Sequence, residues 1–159
     1  MRITDNYYFF YRHQFGQWTQ RDIVDNKGVI YNCCEQYMMY KKGELFEDTE
    51  TADKILEEKS PKIQQALGRK VKNFNLDVWD QHKQQIVYEG NYLKFTQHKY
   101  LKKRLLDTSE LILVEASPFD KVWGIGLHFR DDECLNEANW QGQNLLGRAL
   151  MRVRAALRR

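Results

Sequence analysis

The stretch Asn32-Cys33-Cys34-Glu35-Gln36-Tyr37-Met38-Met39-Tyr40-Lys41-Lys42-Gly43 sets the character of the chain. Asn32 is a good N-cap, and Glu35 follows three residues later in the spacing of a capping box. The pattern predicts a helix from Asn32 to Lys42 that stops at Gly43. Working outward, Thr49 to Glu58 reads as a second helix. Ser60-Pro61 starts a third, with Pro61 at the first helical position, and this one ends near Gly68. Asn75 caps a long fourth helix from Leu76 to about Thr96, with Trp79, Ile86, Tyr88 and Leu93 at roughly helical spacing. Lys99 to Leu106 and Gln143 to Leu157 complete the helical set. Strands are few: the aromatic run Tyr7 to Tyr11, and Glu110 to Glu115, whose Leu-Ile-Leu-Val core is the best strand signal in the chain; Val29 to Tyr31 is a short apolar stretch. Ser117-Pro118 ends that strand, and Val122 to Gly126 reads as a short strand or a Gly-permissive loop. The expected fold class is α+β: a mostly helical single domain over residues 1–159 with a few short β-strands.

Composition agrees. The 159 residues suffice for one domain with a real core. Nine Gly and two Pro are few breakers, which favours long helices over a many-stranded sandwich. Hydrophobic residues at 42% exclude a disordered chain, and no run approaches the roughly 18 apolar residues of a membrane span. No membrane association is therefore expected. The N-terminus lacks a signal-peptide core, and the odd count of cysteines (Cys33, Cys34, Cys134) suits a reducing compartment, so a cytoplasmic location is expected. Aromatics at 13% exceed what a minimal core needs and suit a pocket for a flat ligand. The net charge of +3 is local. The five arginines between Arg148 and Arg159 account for it, and the rest of the chain carries −2. Arginine in a last helical turn complements the macrodipole, although a nucleic-acid contact is the competing reading.

Three segments can carry chemistry. Glu35 and Lys42 are seven residues apart, so on one helix they share a face about 10 Å apart along the axis. Both can reach one ligand, although a capping glutamate and a solvated lysine explain the spacing as well. Gly68-Arg69-Lys70-Val71-Lys72-Asn73 can hold a phosphate through backbone N–H groups and cations, or be a plain connector. Asp120 beside Trp123 and Gly124, in the loop after the best strand, can place a carboxylate against a flat ring, or be an ordinary turn. Cys33 and Cys34 at a helix start can be mildly acidic thiols or buried structural residues. No zinc ligand pattern, dinucleotide fingerprint, P-loop or nucleophile elbow is present, so no metal and no cofactor is expected.

In order, the blocks are Phe15-x-Gln17-Trp18, Glu35-Gln36-Tyr37-Met38-Met39-x-x-Lys42, Leu67-Gly68-Arg69-x-Val71-Lys72-Asn73-Phe74 and Trp79. Then come Leu113-Val114-Glu115-Ala116-Ser117-Pro118-x-Asp120-x-x-Trp123-Gly124-Ile125-Gly126 and Gly142-x-Asn144-Leu145-Leu146-Gly147-x-x-Leu150-Met151-x-x-Arg154. This series resembles the NADAR superfamily, the YbiA-like N-glycosidases, across nearly the whole chain. The resemblance implies a hydrolase that breaks the bond between ribose C1 and an exocyclic amine. The implied substrates are phosphoribosylamino-pyrimidine intermediates of riboflavin synthesis and ADP-ribosylated guanine, the latter as a nucleotide or within DNA or RNA. It implies a Schiff base on Lys42, with Glu35 and Asp120 as the assisting carboxyls. As substrate contacts it implies Phe10, Gln17, Trp18, Trp79, Trp123, Gly124 and Asn144, with Arg69 and Lys72 as phosphate candidates on charge and position. Lys41 is turned about 100° from Lys42 on a helix and is the weaker choice. The sequence departs from many members at Gly16, where they carry Ser, and at Met39, where they carry Gln. The rival to an enzyme is a non-catalytic module that binds ADP-ribose or a nucleotide.

Overall fold

A parallel pairing of two distant strands organises the first part of the chain. The computed structural model describes residues 1–159, which divide into two compact units, residues 1–16 with 98–159 and residues 17–97. The first unit holds strands β1 (Arg2–Ile3) and β2 (Tyr7–Phe10). The second holds β3 (Ile23–Val24), β4 (Ile30–Tyr31) and helices α1 (Cys34–Leu45), α2 (Thr49–Glu57), α3 (Pro61–Gly68) and α4 (Leu76–Gln97). The chain returns to the first unit with α5 (Lys99–Leu106), β5 (Ile112–Glu115) and α6 (Leu145–Leu157). The class is α+β.

In the first unit the sheet order is β1-β2-β5. β2 runs antiparallel to β1 and parallel to β5, with Tyr7 opposite Ile112 and Phe10 opposite Glu115. Phe9, Val114, Ala116, Ile125, Leu127 and Cys134 form the core beside it, and α6 packs on β5. Both central strands are largely buried, which is why they read as apolar runs and not as alternating patterns. Residues 122–126 form no strand. They are a loop in which Gly126 has φ +73°.

In the second unit α1 is packed by α2, α3, α4 and β4. Seven of its twelve residues are buried, on all sides. A helix buried all round shows little amphipathicity, so its identity rests on length and propensity. Its ends differ from the sequence expectation. The N-cap is Cys33, which makes no side-chain capping bond. The reciprocal bond comes instead from Gln36, whose Oε1 accepts the Asn32 N–H at 2.6 Å. Asn32 is one residue further out and donates its amide to the Lys59 carbonyl. The helix also runs through Gly43, where a Cβ would sit 2.9 Å from the Ala52 Cβ, so this glycine is the crossing point of α1 and α2. Lacking a Cβ, it permits close approach there and does not terminate the helix. No helix of the chain is long and apolar enough to cross a membrane.

Candidate active site

Lys42, in the last turns of α1, is half-buried. Its Nζ lies 4.7 Å from the Phe74 ring centroid and 5.4 Å from that of Trp79. Burial lowers the pKa of this amine; the Glu35 carboxylate pulls the other way, and the Arg69 guanidinium adds to the lowering. A less basic, aromatic-flanked amine is what a lysine nucleophile requires, because only the neutral form attacks carbon. Lys41 is turned away: its Nζ pairs with Glu44 at 3.0 Å and rests near the Tyr37 and Tyr40 rings.

Glu35, in the first turn of α1, is 2% exposed. Its backbone N–H donates to the Gln17 carbonyl at 3.0 Å. The Gln17 side chain is held in turn by Asn91, whose Nδ2 donates to Gln17 Oε1 at 2.8 Å and to the Val87 carbonyl at 2.9 Å. Trp18, next to it, is 46% exposed, whereas Trp79 is 8% exposed. The second unit therefore brings Glu35, Lys42, Arg69 and Trp79 together and anchors Gln17 beside them. Lys72 does not join them. Its backbone N–H donates to Asp48 Oδ2 at 2.9 Å and its ammonium lies 4.0 Å from Glu50 on the surface. Burial pushes the Cys33 thiol up to about 12 and the Cys34 thiol up to about 11, so the acidic-thiol reading of this pair does not hold.

Two residues of this unit escaped the sequence reading. Phe74 is the ring nearest the Lys42 amine, and nothing local in the sequence brings positions 42 and 74 together. Lys94 is 1% exposed and lies near Cys34, lowering the pKa of that thiol, with its Nζ 5.4 Å from the Phe95 ring centroid. A signal for Lys94 existed. Lys83 and Lys94 lie on the buried stripe Trp79-Lys83-Val87-Gly90-Asn91-Lys94 of α4, and lysines on a core stripe mark groups that need charged company.

In the first unit the residues singled out from sequence bond mostly to backbone. Asp120 Oδ1 accepts the N–H groups of Val122 (2.9 Å) and Trp123 (2.8 Å), closing the loop after β5. The carbonyls of Val122, Trp123 and Gly124 then accept the N–H groups of Leu145, Leu146 and Asn144, which satisfies the start of α6. Gly124 is buried, and a Cβ there would meet two carbonyl oxygens at 2.9 Å. Asn144 is 3% exposed at φ 52°, and its amide clasps β5: Nδ2 donates to the Leu113 carbonyl and Oδ1 accepts the Glu115 N–H. Phe10 is fully buried against Phe15 and His13. The Arg-rich helix is structural at two of its arginines. Arg154, 5% exposed, donates to Thr108 Oγ1 and the Leu111 carbonyl, and Arg158 pairs with Glu110 at 2.7 Å. No cluster of His, Cys, Asp and Glu in the chain is arranged to hold a metal ion.

Known proteins are similar to this chain in fold and in sequence. The solution NMR structure of the E. coli protein YbiA is similar to this chain with a TM-score of 0.79 and 26% identity, over 99% of this chain and 88% of that one. The N-glycosidase R617 of Acanthamoeba polyphaga mimivirus is 44% identical over 164 residues, 95% of this chain and 96% of that protein. The chloroplastic riboflavin biosynthesis protein PYRR of Arabidopsis thaliana is 34% identical over 107 residues, which are 65% of this chain but 16% of that protein. The NADAR domain family model matches residues 4–158. By this match the chain belongs to the NADAR family.

Proposed function

We propose that the chain is an N-glycosyl hydrolase that cleaves the bond between ribose C1 and an exocyclic amine, with Lys42 as the covalent nucleophile. The observation that carries this reading is the Lys42 amine, half-buried against the Phe74 and Trp79 rings, its basicity lowered by burial and by Arg69. The N-glycosidase name of the mimiviral relative supports the reaction class.

The chemistry follows from a neutral amine. The ribose opens, and the Lys42 amine adds to C1. The C1–N bond to the base then breaks as a proton reaches the departing exocyclic amine. Lys42 is left as an iminium on the sugar, and water adds to C1, releasing the sugar and restoring the amine. Glu35, beside the buried start of α1, is one of the two carboxyls that move these protons. The family match gives Asp120 the other role. Its Oδ1 is held by two backbone N–H groups. Trp18, Trp79 and Gln17 are proposed substrate contacts, and the family match gives Trp123, Gly124, Asn144 and Phe10 the same role. Arg69 and Lys72 are the proposed phosphate contacts, Lys72 through a side chain that extends into solvent. The substrates are ribosylated pyrimidinone rings: ADP-ribosylguanine, free or in DNA or RNA, and the phosphoribosylamino-pyrimidines that the PYRR likeness favours. The setting is cytoplasmic, and residues 1–159 are a single NADAR domain.

Borohydride added during turnover is expected to leave a reduced sugar adduct on Lys42, seen by peptide mass. Full activity in Lys42→Ala with no adduct anywhere would end the covalent mechanism. Tight substrate binding with no release of base would instead favour the binding-module reading.

A further inference from the structure

The segment that follows α3 is pinned to α1 and its C-terminal cap at both ends. At its start Gly68 lies flush on α1, where a Cβ would overlap the Met39 side chain. At its end the Phe74 ring meets the Phe46 ring edge-on at 5.4 Å, and Asn73, at φ 61°, points its amide at the Phe46 carbonyl, 3.5 Å away. Between these points the segment carries Arg69, one of the charges that act on Lys42, and it ends in Phe74, the ring nearest the Lys42 amine.

Asp48 holds the middle. It is 6% exposed, and its two oxygens do different things. Oδ1 accepts the Thr51 N–H at 3.1 Å and caps α2, while Oδ2 accepts the Lys72 N–H at 2.9 Å. Its own N–H donates to the Gly43 carbonyl, which ties the corner to the end of α1. A helix cap needs only the first of these oxygens, and a serine, threonine or asparagine supplies it. The second oxygen is what the segment uses.

We propose that Asp48 is a positioning residue for the Lys42 amine: its carboxylate clasps the 69–74 segment to the start of α2 and so seats Arg69 and Phe74 around Lys42. This rests on the reading of Lys42 as the nucleophile. The charged and titratable groups around Lys42 are Glu35 on its own helix and Arg69 after α3. On α2, Glu50 is engaged with Lys54 and Lys72; on α4, Lys83 is engaged with Asp80; Lys41 is paired with Glu44. Releasing the segment removes a cation and admits water, and both changes return the amine toward ordinary lysine basicity.

Asp48→Asn is the informative variant. It keeps the shape but has one acceptor oxygen, so either amide orientation turns an NH2 toward a backbone N–H. The readout needs no substrate: trinitrobenzenesulfonate labelling of Lys42 as a function of pH, followed by peptide mass. The wild-type midpoint is expected below that of free lysine, and in Asp48→Asn it is expected to rise by about one pH unit. Turnover should then fall about tenfold near neutral pH and recover in alkali. A merely structural role lowers the folded fraction without moving the labelling midpoint. An unmoved midpoint in folded Asp48→Asn overturns the proposal. If that variant does not fold, Asp48→Ser, which keeps a cap oxygen and lacks the second, is read in the same way. Phe74→Leu, probing the end of the segment, should raise the same midpoint, and a midpoint unmoved there also overturns the proposal. An active Lys42→Ala enzyme would instead remove the nucleophile reading and leave the labelling result standing.

Discussion

The two units use their polar residues in different ways. In residues 17–97 the groups around Lys42 act on one another's chemistry. Glu35 and Arg69 bear on the Lys42 amine, and burial holds the neighbouring thiols up. In residues 1–16 and 98–159 the buried polar groups bond chiefly to backbone. Asn144 bridges β5 and α6, Arg154 holds the Leu111 carbonyl, and Asp120 closes its own loop. The contrast has a physical root. A helix satisfies its own backbone and frees its side chains for other work. A two-stranded parallel core joined to irregular loops leaves many N–H and C=O groups for side chains to satisfy. Candidate residues in the second unit should therefore fail as chemistry, and many in the first should fail as stability.

The largest expected effect is that of Lys42→Ala, which should cost about 10³-fold or more in turnover with an unchanged circular dichroism spectrum. Substantial residual turnover would dissolve the contrast at its strongest point. Next is Asn144→Ala. It strands the Leu113 carbonyl and the Glu115 N–H in the core, at a cost of about 2–4 kcal/mol seen as a lower Tm, with most turnover retained well below that Tm. An unchanged Tm with lost turnover would move Asn144 from scaffold to chemistry. Arginine substitutions in α6 and at its C-terminal cap should grade by burial. Arg154→Met should lower stability by about 2 kcal/mol, and Arg158→Gln, at an exposed pair, by less than about 1 kcal/mol. Equal costs would contradict the assignment of Arg154 as an internal brace.

The smallest effect is a pH dependence. The backbone N–H of Lys72, followed by the Thr51 hydroxyl and N–H, holds the Asp48 carboxyl down to about 2. A carboxyl with a lowered folded-state pKa contributes stability above its ordinary value of about 4, and that contribution is lost as pH falls toward 2. Acid unfolding of the wild type should thus steepen between about pH 4 and 2, and Asp48→Asn should lose that component. An identical acid limb in the two proteins would mean that the clasp is absent in solution.

Much of this was legible in residues taken singly. Helices α2 to α6 begin within two residues of their sequence signals, and Asn75 caps α4 as read, its Oδ1 accepting the Val78 N–H at 3.1 Å. Local sterics and caps determine such starts. The ends of α1 were misread for a nonlocal reason. Gly43 is a helix terminator in isolation and a crossing point once Ala52 lies against it. The two-residue strands β1 and β3 gave no sequence signal, because so short a segment is a strand only through its partner.

The candidate site divides in the same way. The pairing of Glu35 with Lys42 on one helix follows from spacing, and the family follows from the order of the blocks. Which ring flanks the lysine, which cation depresses it, and which acid bonds the segment that carries that cation depend on contacts across 24 to 32 positions of chain. Those contacts carry no local energetic signature. A sequence states which groups are present and how a helix phases them; burial, which sets the basicity of Lys42 and the fate of each polar group, exists only once the helices have packed.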